Sequence, residues 1–302
     1  MIDPERLARL RDLDPHLRSR LRGQDHLLPL AVAAFQRGEL GLASPDRPRG
    51  SFLLVGPTGT GKTELVLLCA DFLFGPGHVC RFDLSEYARE DAVQRFLGAD
   101  AADCGAFGRA MQGRTQGIVL FDEIEKAHAR LWDLFLQALD PGHITVATGE
   151  KISTAGFYLA FCSNIGGAEA MRMEQSRFAS IEQMVLRLLG HTLRAEFVGR
   201  IEEKWVFARL TPDVQREICA LRVADETARL RGLGYDLKVS REALEFLVRE
   251  GFHPHLGARP LRQTVERHLR DAVVRELFAT GASRGLVAVD IQTRRLVIHR
   301  HS

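Results

Sequence analysis

The octet GPTGTGKT, residues 56–63, places three glycines ahead of a lysine and a threonine and fits the pattern G-x-x-x-x-G-K-[ST]. Glycines at that spacing let the backbone curl until successive N–H groups, and the N-terminus of the helix that follows, face one anionic group. On this reading Gly56, Pro57, Thr58, Gly59, Thr60 and Gly61 cradle phosphates and Lys62 reaches the β- and γ-phosphates. The Thr63 hydroxyl takes a place on Mg²⁺. A second stretch, IVLFDEIEKAH at 118–128, ends an apolar run in two carboxylates. Asp122 then stands beside the metal, and Glu123 polarises a water for in-line attack on the γ-phosphate. The two stretches together describe ATP held with Mg²⁺ and hydrolysed.

Such residues need a scaffold, and the chain around them supplies one. SFLLV precedes the octet as a buried strand, and ELVLLCADFLF follows it as an apolar helix. HVCRFDL (78–84), GIVLFDE (117–123) and GFYLAFCSN (156–164) read as further strands with helical patterns between them. Strands alternating with helices imply right-handed crossovers and a parallel sheet covered on both faces. Upstream, leucines at 7, 10, 13, 17 and 21 predict one helix from about Pro4 to Leu21, and a second restarts after Gln24 and ends near Gly41. SPDRPRG is a turn-rich connection. From TPDVQREICALRVADETARL onward the pattern changes to helices, then short strands at YDLKV, LVAVDI and RRLVIH. The expected fold is α/β: a phosphate-loop domain over 1–210, then a smaller, mostly helical α+β domain over 211–302.

Composition narrows the classes of function. A chain of 302 residues with 45% hydrophobic and 26% charged residues can bury a core in two domains and is not a disordered tail. Its apolar stretches are short, and the N-terminus mixes acids with arginines, unlike a signal peptide, transit peptide or membrane span. A soluble, cytoplasmic protein is expected. Cys69, Cys80, Cys104, Cys162 and Cys219 are scattered, with no C-x-x-C pair and no histidine at metal-ligand spacing, and read as buried thiols. Residues 209–302 carry 17 Lys+Arg against 12 Asp+Glu, a local +5 within a net charge of +2. That excess is too mild and too spread for a nucleic-acid face.

With GPTGTGKTEL followed by FDLSEY, LFDEIEKAH and FCSN, the chain resembles the AAA+ ATPases of the Clp chaperone family, and most of all the second ATPase ring of ClpB-type disaggregases. The resemblance runs from LRGQ at residue 21 through GARPL at 257–261. It implies that Asn164 is the sensor that orients the attacking water. It also implies that Arg200, in LRAEFVGRIEE, is an arginine finger reaching the γ-phosphate of a neighbouring subunit, and that Arg259 is the second sensor. Adenine contacts fall around Gly23 and Gln24, where Leu21 and Arg22 replace the family's two branched apolar residues. A homo-oligomeric ring, hexameric with ATP, acting on a protein partner follows from the same resemblance. The family's channel loop, glycine-aromatic-apolar-glycine, corresponds to GADAADCGAFGRAM (98–111), which is shorter and lacks the tyrosine. Phe107 is either a displaced channel aromatic or a core residue at the start of a helix. GGAEAMRMEQSRFAS shows no Ile/Leu-Gly-Phe/Leu tripeptide, so a ClpP-type peptidase partner is not expected. The leading reading is a remodelling motor that does without tyrosine-loop threading. The alternatives are a nucleotide-gated scaffold for one dedicated partner and a DNA-handling loader.

Overall fold

The computed structural model describes residues 4–173, 175–253, 256–281, 283–290 and 292–299. Glu174, within GGAEAMRMEQSRFAS, and Ile291, at the end of LVAVDI, lie outside them. The strands are β1 (Gly50–Val55), β2 (Val79–Asp83), β3 (Gly117–Asp122), β4 (His143–Thr145), β5 (Lys151–Ser153), β6 (Phe157–Ser163), β7 (Glu203–Val206), β8 (Asp236–Val239), β9 (Arg284–Asp290) and β10 (Arg295–His299). The chain forms two compact units. One comprises Met1–Pro57 and Gly61–Arg209, the other Thr58–Thr60 and Leu210–Ser302.

In the first unit five strands form a sheet in the order β2-β3-β6-β1-β7, every neighbouring pair parallel. Every residue of β1 and β6 is buried, as are the first five of β3. Such continuous apolar runs are what a parallel sheet covered on both faces requires. The strand period of two then sorts the side chains. Leu53, Val55, Val119, Phe121, Leu159 and Phe161 join one core with the helices Trp132–Leu139 and Phe178–Thr192. Phe52, Leu54, Ile118, Leu120, Tyr158 and Ala160 join another with the helices Leu28–Glu39 and Lys62–Phe74. Side chains facing opposite ways from one strand thus weld helices to both faces.

The expected first helix is two, Pro4–Arg11 and Leu13–Arg20, broken at Asp12. The break still delivers Leu10, Leu13, Leu17 and Leu21 to one core. Three strands escaped the sequence reading. β4 and β5 form a three-residue antiparallel hairpin. The other, β7, with only Trp205 and Val206 buried, adds itself to the edge of β1.

The second unit packs the helices Pro212–Gly232, Arg241–Gly251 and Leu261–Thr280 with a sheet of order β10-β9-β8, in which β9 runs parallel to β8 and antiparallel to β10. Its core holds Cys219, Leu247, Leu261, Leu269, Val287 and Leu296. The first two helices start on hydroxyl caps: Val214 N–H donates to Thr211 Oγ1 at 3.4 Å and Ala243 N–H to Ser240 Oγ at 3.1 Å. Among the described residues no helix is long and apolar enough to cross a membrane.

Candidate functional site

Parallel register brings the chemically active residues to one end of the sheet. Val55, the last residue of β1, pairs with Ser163 of β6, and Asp83 at the end of β2 pairs with Asp122 at the end of β3. Carboxyl ends of parallel strands are where open α/β sheets gather ligand-binding groups. The phosphate loop leaves β1 there and enters the helix Lys62–Phe74 through Gly61, whose φ of 106° suits glycine alone. A Cβ at Gly61 would stand 2.8 Å from Leu21 Cδ1. Leu21, read as part of the base-contacting turn, therefore packs beneath the loop.

Lys62 is almost fully buried, and its three ammonium donors have three acceptors: Gly56 O at 2.7 Å, Pro57 O at 2.9 Å and Asn164 Oδ1 at 3.0 Å. Burial pushes its pKa down, while Cys162, Asp122, Glu125 and Glu123 pull the other way. Asn164 follows β6 directly, so the sheet sets its distance from the loop. Its backbone N–H donates to Glu125 Oε1 at 3.1 Å, and Glu125 Oε2 is buried with no hydrogen-bond partner. Glu125 thus ties the segment after β3 to the residue after β6, a role that nothing in its sequence position announced.

Thr63 Oγ1 lies 3.5 Å from Asp122 Oδ2. A hydroxyl and a carboxylate at that spacing are hard oxygen donors of the kind Mg²⁺ takes, alongside phosphate oxygens. The same Oδ2 also accepts a 2.7 Å hydrogen bond from Arg81 Nη2 on β2. Arg81 was missed because only the pairing of β2 with β3 brings it to Asp122. Glu123 adopts a left-handed backbone conformation, φ 56°, and its Oε2 lies 2.6 Å from Lys126 Nζ. A non-glycine residue in that region is a local strain of the sort found at working sites. The Glu123 carboxylate raises the Lys126 pKa, first through this hydrogen bond.

The remaining candidates lie elsewhere. Gln24 is fully buried, and its carboxamide both donates to Ala208 O and accepts from Ala208 N–H, each at 2.9 Å. It is a clamp on the chain leaving β7. Arg200 ends the helix Ala195–Arg200, bound to Leu136 O at 3.2 Å and Glu196 Oε1 at 2.8 Å. Arg259, in the second unit, is exposed in the turn before the helix Leu261–Thr280.

Phe107 resolves to the core reading. It lies within the helix Gly105–Met111, has no exposed surface, and packs against Phe96 and Phe82 with ring centroids 5.3 and 5.9 Å away. The stretch before it is knotted by Asp103, which accepts from Gly105 N–H at 2.9 Å, Ala99 N–H at 3.2 Å and Arg109 Nη1 at 2.8 Å. These contacts hold the Asp103 carboxyl below the usual carboxylate range, the Gly105 N–H first among them.

Comparison with known proteins bears on the family and the fold. Residues 47–204 match the family model described as AAA domain (Cdc48 subfamily), and residues 210–287 match the C-terminal, D2-small domain of ClpB protein. The chain is 34% identical over 301 residues to chaperone protein ClpB 2 of Nostoc sp. strain PCC 7120, covering 97% of this chain and 34% of that protein. It is 34% identical over 289 residues to the ATP-dependent Clp protease ATP-binding subunit ClpA homolog of Porphyra purpurea, covering 90% of this chain and 35% of that protein. A closed-state cryo-EM reconstruction of Hsp104 with ATPγS and FITC casein superposes with a TM-score of 0.86 at 27% identity, covering 99% of this chain and 52% of that one. The chain spans about a third of the length of these curated relatives. With a phosphate loop, a carboxylate pair and a ClpB-type small domain in one order, the chain belongs to the AAA+ ATPases of the Clp family, in the form of the second ATPase module of ClpB-type chaperones.

Proposed function

We propose that this chain binds ATP with Mg²⁺, hydrolyses it, and uses the cycle to remodel a protein partner. The observation that carries the reading is the Lys62 ammonium, buried and shared between the loop carbonyls and Asn164. A buried cation that exchanges one neutral acceptor for a phosphate oxygen gains a charge-assisted bond without new desolvation. Thr63 and Asp122 would hold the metal, whose chemistry is to neutralise charge developing on the phosphate oxygens. Asn164, fixed by Glu125, orients a water, and Glu123 accepts its proton once it leaves Lys126. Arg200 and Arg259 act as arginine finger and second sensor in a homo-oligomeric, hexameric ring. A positive fork supplied from outside makes hydrolysis depend on assembly.

The substrate is a protein, as the casein in the Hsp104 reconstruction suggests. With Phe107 inside the core, the segment 98–111 offers no aromatic grip, so the motor works on a partner bound elsewhere rather than by tyrosine-loop threading. The chain acts in the cytoplasm, without a ClpP-type peptidase or nucleic acid.

Two variants test the chemistry. Lys62→Ala is expected to lose nucleotide binding, and Glu123→Gln to bind ATP but hydrolyse it slowly, since an amide cannot take the water's proton. Equal hydrolysis by wild type and Glu123→Gln would remove Glu123 from its role.

A further inference from the structure

The Asp122 Oδ2 atom carries two claims at once, from Thr63 at 3.5 Å and from Arg81 at 2.7 Å. Resting on the reading of Thr63 and Asp122 as metal ligands, we propose that Arg81 competes with the divalent cation for Asp122 and sets how strongly nucleotide binding depends on Mg²⁺. Asp122 is mostly buried, whereas the Arg81 side chain is 49% exposed. A mostly buried carboxylate with no cation beside it is costly, so Arg81 supplies the countercharge for Asp122 whenever the metal is away. A guanidinium that already reaches solvent leaves without stranding a buried charge.

Both cations cannot sit on one oxygen at full strength. A guanidinium at hydrogen-bond distance and a metal ion drawn to the same carboxylate would repel each other. Strand register gives Arg81 somewhere else to go. Asp83 stands beside Asp122 at the end of β2, two residues along the strand from Arg81 and therefore on the same face. The Asp83 Oδ1 accepts from Ser85 N–H at 3.0 Å and Ser85 Oγ at 2.6 Å, which holds that carboxylate in place as a second anchor. Arg81 then moves between two fixed carboxylates one strand apart. It is a positioning residue, acting on the reaction only through Asp122.

The test is the dissociation constant of a fluorescent ADP analogue measured in Mg²⁺ and in EDTA, for wild type, Arg81→Gln and Arg81→Lys. Removing the competitor should tighten binding in Mg²⁺ and leave binding in EDTA alone or weaken it. The ratio of the two constants should therefore grow by about fivefold or more in Arg81→Gln, the lower end of ordinary coupling between sites. Arg81→Lys, a mobile point charge, should fall between. A residue that merely supports β2 would shift both constants together and leave the ratio unchanged, which overturns the proposal. So does a ratio that shrinks. If Arg81→Gln does not fold, Arg81→Lys decides by the same ratio. A wild type whose ADP binding ignores Mg²⁺ overturns the metal assignment of Thr63 and Asp122 together with this inference, whereas a normal wild type with an unmoved variant overturns the inference alone.

Discussion

At Phe107 the choice between gripping a substrate and filling a core has opposite experimental signatures. A ring with no exposed surface, packed against Phe82 and Phe96, loses transfer energy and leaves a cavity when truncated, so Phe107→Ala should cost about 3–5 kcal/mol in denaturant unfolding. A channel residue would leave stability alone and abolish only the unfolding of a tagged reporter. Efficient reporter unfolding by wild type, lost without a stability change in Phe107→Ala, would reverse the assignment. The thiols make a second case at this scale. Burial pushes Cys162 and Cys219 up to about 12, and Cys69 higher still, while Cys104 alone of the five is half-buried. Iodoacetamide on the native protein should therefore modify Cys104 well before the other four, as peptide mass mapping would show. Uniform labelling of the five would mean that the cores open readily.

Elements explain why that segment stays closed. Gly98 sits at φ 104°, and a Cβ there would stand 1.7 Å from Asp103 O, so the turn from 98 to 105 exists only with glycine at its start. Gly98→Ala should lose about 1–3 kcal/mol through strain, more than an ordinary surface change, and a melting curve unchanged by the substitution would refute the tightness of the turn. The same contrast between strong and weak local signals governs what the sequence revealed. β1, β3 and β6 were legible because a strand buried on both faces must be apolar throughout, and the octet at 56–63 announces its own geometry. The carboxylate pair was placed by the end of its strand, and Asn164 by the family resemblance at the end of the FCSN strand. By contrast, β7 reads as EKWV and β4 as HIT, too short and too polar to carry a period, and both are strands only because of what lies beside them. Arg81 and Glu125 act through pairings of β2 with β3 and of β3's exit with β6's, which no linear pattern encodes. Gln24 was read from the family's Gly-Gln as part of the base-contacting turn, and the pairing of its amide with the backbone of a residue 184 positions away was not legible in the sequence.

For the whole molecule, the reading of Arg200 requires a second copy. Its partners here are Leu136 O and Glu196, neither in the phosphate loop nor in the carboxylate pair. Arg200→Ala should keep ATP binding and lose hydrolysis by about 10³-fold or more, as removal of arginine fingers does. Mixing it with Lys62→Ala subunits should restore some turnover, because an intact finger then meets an intact loop. No recovery in rings shown to be mixed would place Arg200 in its own subunit's fold instead. The Gln24 clamp bears on how such a machine carries load. The chain leaves the first unit just past Ala208, so any pull exerted through residues 209–211 reaches β7 first, a four-residue edge strand paired with β1 alone. Parallel strands loaded from one end resist in shear, all their bonds sharing the tension, but only while the end is kept from peeling. Two hydrogen bonds from one buried amide fasten that end, which makes Gln24 a rivet where a power stroke would enter the sheet. In optical-trap pulling from the C-terminus, Gln24→Ala should lower the rupture force of the first unit by more than its equilibrium destabilisation accounts for.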